Sequence, residues 1–247
     1  MRSSVRIFSL LVLATIVAGG ILGAAPPARA DGPSFDCRKA RLSAEKAICA
    51  DPQLSAIDLL VSKAFKDFEP AFGGDKRMIA RGLIADRNAC VADTACIVSA
   101  LNNALQTYGS APSWVQDYNI ALIGKKALEA AARNPAGTDQ PLPSAIGQCA
   151  STHIETLTTR LGDDPLETAG PEAGSAATFT NGGTAVSYDR EPGLAASKVG
   201  EAVEMCLISI PRDCPRDDER GRVYYSLDLV AKGTWALPDS QHLCGGA

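Results

Sequence analysis

The sequence predicts an α+β protein in two domains, a small disulfide-stapled helical domain followed by a small β-rich domain. Three observations carry this expectation. Apolar residues recur at spacings of three and four between Leu54 and Tyr108, the repeat of a helix with one buried face. After Cys149 the repeat shifts toward two, with a Gly-rich turn at Asn181-Gly182-Gly183. The eight cysteines divide four and four between the halves.

The first thirty residues read as a secretory signal peptide. Arg2 and Arg6 precede an apolar run from Ile7 to Ala25, and Ala28-Arg29-Ala30 offers an Ala-x-Ala cleavage site before Asp31. Retention of the run as a membrane anchor is the alternative, since spanning helices can be short. No cysteine stands at the cut for lipid attachment. Export to a periplasmic or extracellular compartment follows, with no membrane association once the segment is removed.

Segment 31–109 carries the helices. Ser43 is placed to cap a first helix over 44–50, with Glu45 in the first turn where a carboxylate favours the helix dipole. Asp51-Pro52 restarts the chain as a cap followed by a first-turn proline. Leu54, Ile57, Val61, Ala64, Phe65 and Phe68 then share one face, ending near Pro70. Gly73-Gly74 makes a turn, and Asp75 caps a helix over 76–89 expected to bury Met78, Ile79, Leu83 and Ile84. Thr94 opens the next, with Ile97, Leu101, Ala104, Leu105 and Tyr108 inward. Segment 110–145 is a further helix to 133, with Trp114 and Ile123, then a linker marked by Asn134-Pro135 and Pro141.

Segment 146–247 is expected to hold about five strands. Thr152 to Leu161 suits either a helix or a strand. A hairpin is centred on Asn181-Gly182-Gly183. Both faces of Val203 to Ile210 are apolar, which predicts a central strand. In Val223 to Leu229, Tyr224, Ser226 and Asp228 alternate with apolar residues, which predicts one wet face.

Without residues 1–30 the chain has 21 basic and 28 acidic side chains, a net charge of −7. Segment 140–247 contributes 15 acids against eight bases, whereas 31–109 is balanced at ten and ten. This excludes a nucleic-acid partner, which needs a basic footprint. It admits a cationic one. Eight cysteines in an exported chain predict four disulfides from Cys37, Cys49, Cys90, Cys96, Cys149, Cys206, Cys214 and Cys244. Local pairing, 37 with 49 and 90 with 96, is geometrically reasonable, and crossed pairing stays open. The other four have no pairing that spacing decides.

Ser34-Phe35-Asp36-Cys37, Glu45-Lys46-Ala47-Ile48-Cys49, Asp51-Pro52 and Arg87-Asn88-Ala89-Cys90 with Cys96 together resemble the N-terminal domain of the LprI-type lysozyme inhibitors. The resemblance spans residues 34–108, about a third of the chain. It departs from the pattern at Leu83, where an aromatic is expected. It implies a small exported helical domain that binds a lysozyme or another cationic envelope protein, and it brings no catalytic residue.

The chain holds two histidines and no phosphate loop, Gly-x-Ser-x-Gly or His-Glu-x-x-His pattern. An enzyme and a cofactor are therefore not expected. Asp239, Ser240 and His242 are the one set with hydrolytic residue types, but consecutive residues do not ordinarily converge on one reacting atom. They would be the centre of an envelope hydrolase, one alternative reading; the other is a structural or interaction partner of a larger envelope assembly, acting through the C-terminal domain. Asp213, Asp217, Asp218 and Glu219 interleave with arginines, which favours internal charge pairing over a calcium loop. Cysteine spacing gives no zinc site. A lysozyme cleaves between two carboxylates, so a basic turn could plug its cleft. Lys76 and Arg77, after Gly73-Gly74, are the residues that could do so.

Overall fold

The computed structural model describes residues 32–162 and 164–246; segment 1–30, expected from the sequence to be a signal peptide, lies outside them. Helices α1 (Ser43–Ala50), α2 (Pro52–Asp67), α3 (Lys76–Ala89), α4 (Thr94–Thr107) and α5 (Ser113–Arg133) come first. Asp51 caps α2 through the amides of Gln53 and Leu54, and Asp75 caps α3 through those of Arg77 and Met78. At α1 the cap differs from expectation. Ser43 is the first helical residue, and Glu45 instead reaches back to the amides of Arg41 and Leu42.

Helix α4 is the axis of this layer, buried along its length from Cys96 to Leu105. Helices α2 and α3 both pack on it, and its other side faces α5 and the sheet. Because α3 touches the core along a narrow stripe, only Ile79 and Leu83 are buried. Met78, expected inside, is 63% exposed, and Ile84 is 48% exposed.

Strands β1 (Cys149–Thr158), β2 (Ser175–Phe179), β3 (Thr184–Ser187), β4 (Ala202–Ser209), β5 (Val223–Asp228) and β6 (Thr234–Pro238) form one antiparallel sheet in the order β3-β2-β1-β4-β5-β6. The sheet has six strands rather than about five, and the ambiguous stretch after Thr152 is strand. A short helix α6 (Pro192–Ala196) precedes β4. The sheet curls until β3 touches β6, where the Thr184 hydroxyl donates to the Asp239 carbonyl. Inside the curl Phe179, Met205, Leu207, Tyr224 and Trp235 form one core.

The curl also overturns the expected wet face of β5. Tyr224, Ser226 and Asp228 point into the closed interior, and Tyr225 and Leu227 lie beneath α5. Every one of these side chains is buried. Asp228 uses one carboxylate oxygen to cap the amides of Val230 and Ala231, which stabilises the turn into β6.

The segment 134–148 joins the helices to the sheet, and side chains from both sides of it share a cluster. Ile123 and Ala127 of α5 pack on Cys206, Ile208, Tyr225 and Leu227. Gly124 makes this approach possible, since a Cβ there would lie 2.9 Å from the Tyr225 hydroxyl. Asn103 of α4 donates to the Ile210 carbonyl at 3.0 Å and accepts from Ser209 at 2.6 Å. Gly147, at φ +77°, runs against Cys96 so closely that a Cβ would meet the Cys96 backbone at 2.9 Å.

The four disulfides are Cys37–Cys49, Cys90–Cys96, Cys149–Cys206 and Cys214–Cys244. The first two are the local pairs. Cys149 and Cys206 stand opposite each other on β1 and β4, and Cys214–Cys244 ties the C-terminal tail to the loop after β4. Four such bonds fit an oxidising, extracellular compartment.

Candidate functional site

Because α2 and α3 pack on α4 but diverge from each other, a cleft opens between them with α4 as its floor. Val61 and Phe65 line one wall, Leu83 and Ile84 the other, and Leu101, Ala104 and Tyr108 the base. The cleft has a volume of about 200 Å³ and opens to solvent, with room for one large side chain or a small apolar ligand. Burial pushes the Tyr108 hydroxyl up to about 12, so it stays protonated at any physiological pH.

Asp58 and Arg87 line the cleft at one end, and Lys76 lies against the Phe65 ring of its wall. The Arg87 guanidinium meets Asp58 at 3.3 Å, and both side chains are nearly inaccessible, 12% and 4% exposed. Asp58 also accepts from the Ser34 amide at 2.8 Å and hydroxyl at 2.7 Å. Arg87 completes its bonding through the Asn88 side chain. A buried ion pair is tolerated when its remaining donors and acceptors are satisfied, and here most are. Lys76 lies 5.1 Å from the centre of the Phe65 ring, bonds the Lys66 carbonyl and pairs with Glu69 at 3.6 Å.

Lys76 and Arg77 are thus separated by the helix they begin. Lys76 is turned inward and occupied, while Arg77 is exposed and continues into Arg81 on the outer face of α3. The turn before them is held as well. Ala71 donates to Asp213 at 2.8 Å, and the Phe72 ring covers Gly245, so the glycine turn rests on the C-terminal tail.

Asp239, Ser240 and His242 do not converge. Ser240 donates to the His242 carbonyl at 2.9 Å, the His242 ring bonds Tyr188, and Asp239 accepts from the Gly221 amide at 2.8 Å. They fix the tail. In the acidic loop Asp218 pairs with Arg220 and Glu219 with Arg222. Arg220 and the Gly245 amide hold the Asp218 carboxyl well below the usual range. Among the described residues no group of three or more His, Cys, Asp or Glu is arranged to hold a metal ion.

No family model, no curated protein and no solved structure matches this chain. Site geometry and the cysteine framework are therefore the basis for any functional reading.

Sequence reasoning passed over Asp58, Arg87 and Ser34 as a unit. Ser34 and Asp58 are 24 residues apart, and Asp58 and Arg87 are 29. The available signal was Asp58 itself, a carboxylate flanked by Ile57 and Leu59 on the apolar face of α2. A charge in that position needs a buried partner.

Proposed function

We propose that this chain is an exported binding protein of the cell envelope, related to the LprI-type lysozyme inhibitors and without catalysis of its own. It would inhibit a lysozyme by laying a rigid surface across the enzyme's cleft. One observation carries the reading. Cys37–Cys49 and Cys90–Cys96 close locally on the same residues that bear the family resemblance, so the target meets a preformed shape. Prior ordering by covalent links lowers the entropy that binding must otherwise overcome. In this reading the helical part binds as one domain, and the β-rich part is its support and a source of negative field.

The experiment is a titration of the purified mature chain into a lysozyme turbidity assay, using enzymes of more than one structural type. The expected result is saturable inhibition that disappears when the disulfides are reduced and alkylated. Turnover of ester or glycan substrates by the chain itself, with every lysozyme unaffected, would sink the reading.

A further inference from the structure

We infer that the outer rim of α3, formed by Arg77, Arg81 and Ile84, is the docking surface, and that it takes a carboxylate pair in the cleft of a glycan-cleaving enzyme. An apolar side chain of the same partner would enter the space between α2 and α3. The inference rests on the inhibitor reading and says which atoms would carry it.

Charge matching within α3 isolates these residues. The helix has four further or flanking charges, and all four are matched in place. Asp75 caps the first turn, Lys76 pairs with Glu69, Asp86 with Arg212 and Arg87 with Asp58. Arg77 and Arg81 are exposed, and among the described residues neither has an ion-pair or side-chain hydrogen-bond partner. Like charges four residues apart on a helix repel mildly, so a pair of anions would relieve rather than disturb the fold.

Geometry places them beside the cleft. At about 100° per residue, Ile84, Arg77 and Arg81 fall within an arc of about 60° that adjoins the cleft-lining Ala80, Leu83 and Arg87. The Cβ atoms of residues four apart on a helix are about 5–6 Å from each other. Paired carboxylates in glycosidases stand about 5–9.5 Å apart. Two flexible guanidinium groups can therefore reach one carboxylate each, and Arg suits that task through its paired donors. Ile84 is half exposed and also lines the cleft, which gives the surface an apolar centre between the cations and the opening.

The rim is rigid. Asp75 fixes the N-terminus of α3, and Arg87–Asp58 with Cys90–Cys96 fix its C-terminus. Charge elsewhere assists at longer range. The 15 acids against eight bases in 140–247 would attract an enzyme of net positive charge, while the arginines address the local negative charge of its catalytic centre.

The test compares the mature chain with Arg77→Glu/Arg81→Glu, Arg77→Gln/Arg81→Gln, Ile84→Asp and Lys125→Glu, the last a control at an exposed position of α5. Each is checked for folding by thermal melting and titrated against the lysozyme that the unaltered chain inhibits. Charge reversal is expected to weaken inhibition about a hundredfold, neutralisation about tenfold and Ile84→Asp about tenfold, with Lys125→Glu within about twofold. Affinity of the unaltered chain should also fall as salt rises. If it inhibits and the folded double variants inhibit equally, the surface lies elsewhere and the inhibitor reading stands. If it inhibits no lysozyme, that reading falls and this inference with it. Binding to phosphatidylglycerol vesicles that is lost on charge reversal, with no lysozyme bound, would overturn the inference in favour of a lipid surface.

Discussion

The helical layer is cross-linked over 12 and six residues, whereas the sheet is cross-linked over 57 and 30. Loop closure in the unfolded chain makes the short bridges worth about 2–3 kcal/mol and the long ones about 4 kcal/mol. The difference separates two uses of the same bond. Long bridges chiefly stabilise. Short ones contribute less to stability but fix local geometry: Cys37–Cys49 sets the entry of Ser34 toward Asp58, and Cys90–Cys96 clips the end of α3 to the start of α4.

Removing bridges tests this contrast most directly. Cys149→Ala/Cys206→Ala should lose about 4 kcal/mol in urea denaturation, against about 2 kcal/mol for Cys90→Ala/Cys96→Ala. Equal losses would mean that loop length does not govern the difference. On the inhibitor proposal, lysozyme inhibition should follow the opposite order, with the smaller thermodynamic loss doing more harm to binding.

Next in size is the buried ion pair. Arg87→Ala leaves Asp58, whose side chain is 4% exposed in the intact pair, with only Ser34 to stabilise its charge, and should cost about 3 kcal/mol in the same assay. Gly147→Ala attacks the seam between the layers. A positive φ and contact with the Cys96 backbone should cost about 2 kcal/mol, seen as a lowered melting temperature. An unchanged melting temperature would show that the seam yields easily.

The smallest effect concerns Glu204, which lies on β4 and accepts the Ser151 hydroxyl at 2.7 Å. Burial raises its pKa above the ordinary 4.5. The folded state therefore holds this proton more tightly than the unfolded chain. The contribution of this group to stability is most favourable below pH 4.5 and declines as pH rises through the folded value. Glu204→Gln keeps a hydrogen-bonding group and should raise stability at neutral pH, with no gain below pH 4.5. Denaturation midpoints at the two pH values check the sign.

Local signals in the sequence were legible where a residue acts on its neighbours. Asp51-Pro52 and Asp75 start helices, and Asn181-Gly182-Gly183 turns a hairpin, because caps and turns are satisfied within a few residues. The buried fate of β4 was legible from its apolar faces. Properties set by distant packing were not. Met78 fits the helical repeat but has nothing to pack on, and Ser226 and Asp228 look solvent-facing until the sheet closes over them. Lys76 and Arg77 read as one basic tip, although a helix sends consecutive side chains about 100° apart. That rotation turns one toward Phe65 and leaves the other free.

The meeting of β3 with β6 has a further consequence. A curled sheet whose outer strands are only four and five residues long and lean on each other offers little flat edge as a template for a second molecule. At high local concentration such a chain is protected against edge-to-edge aggregation.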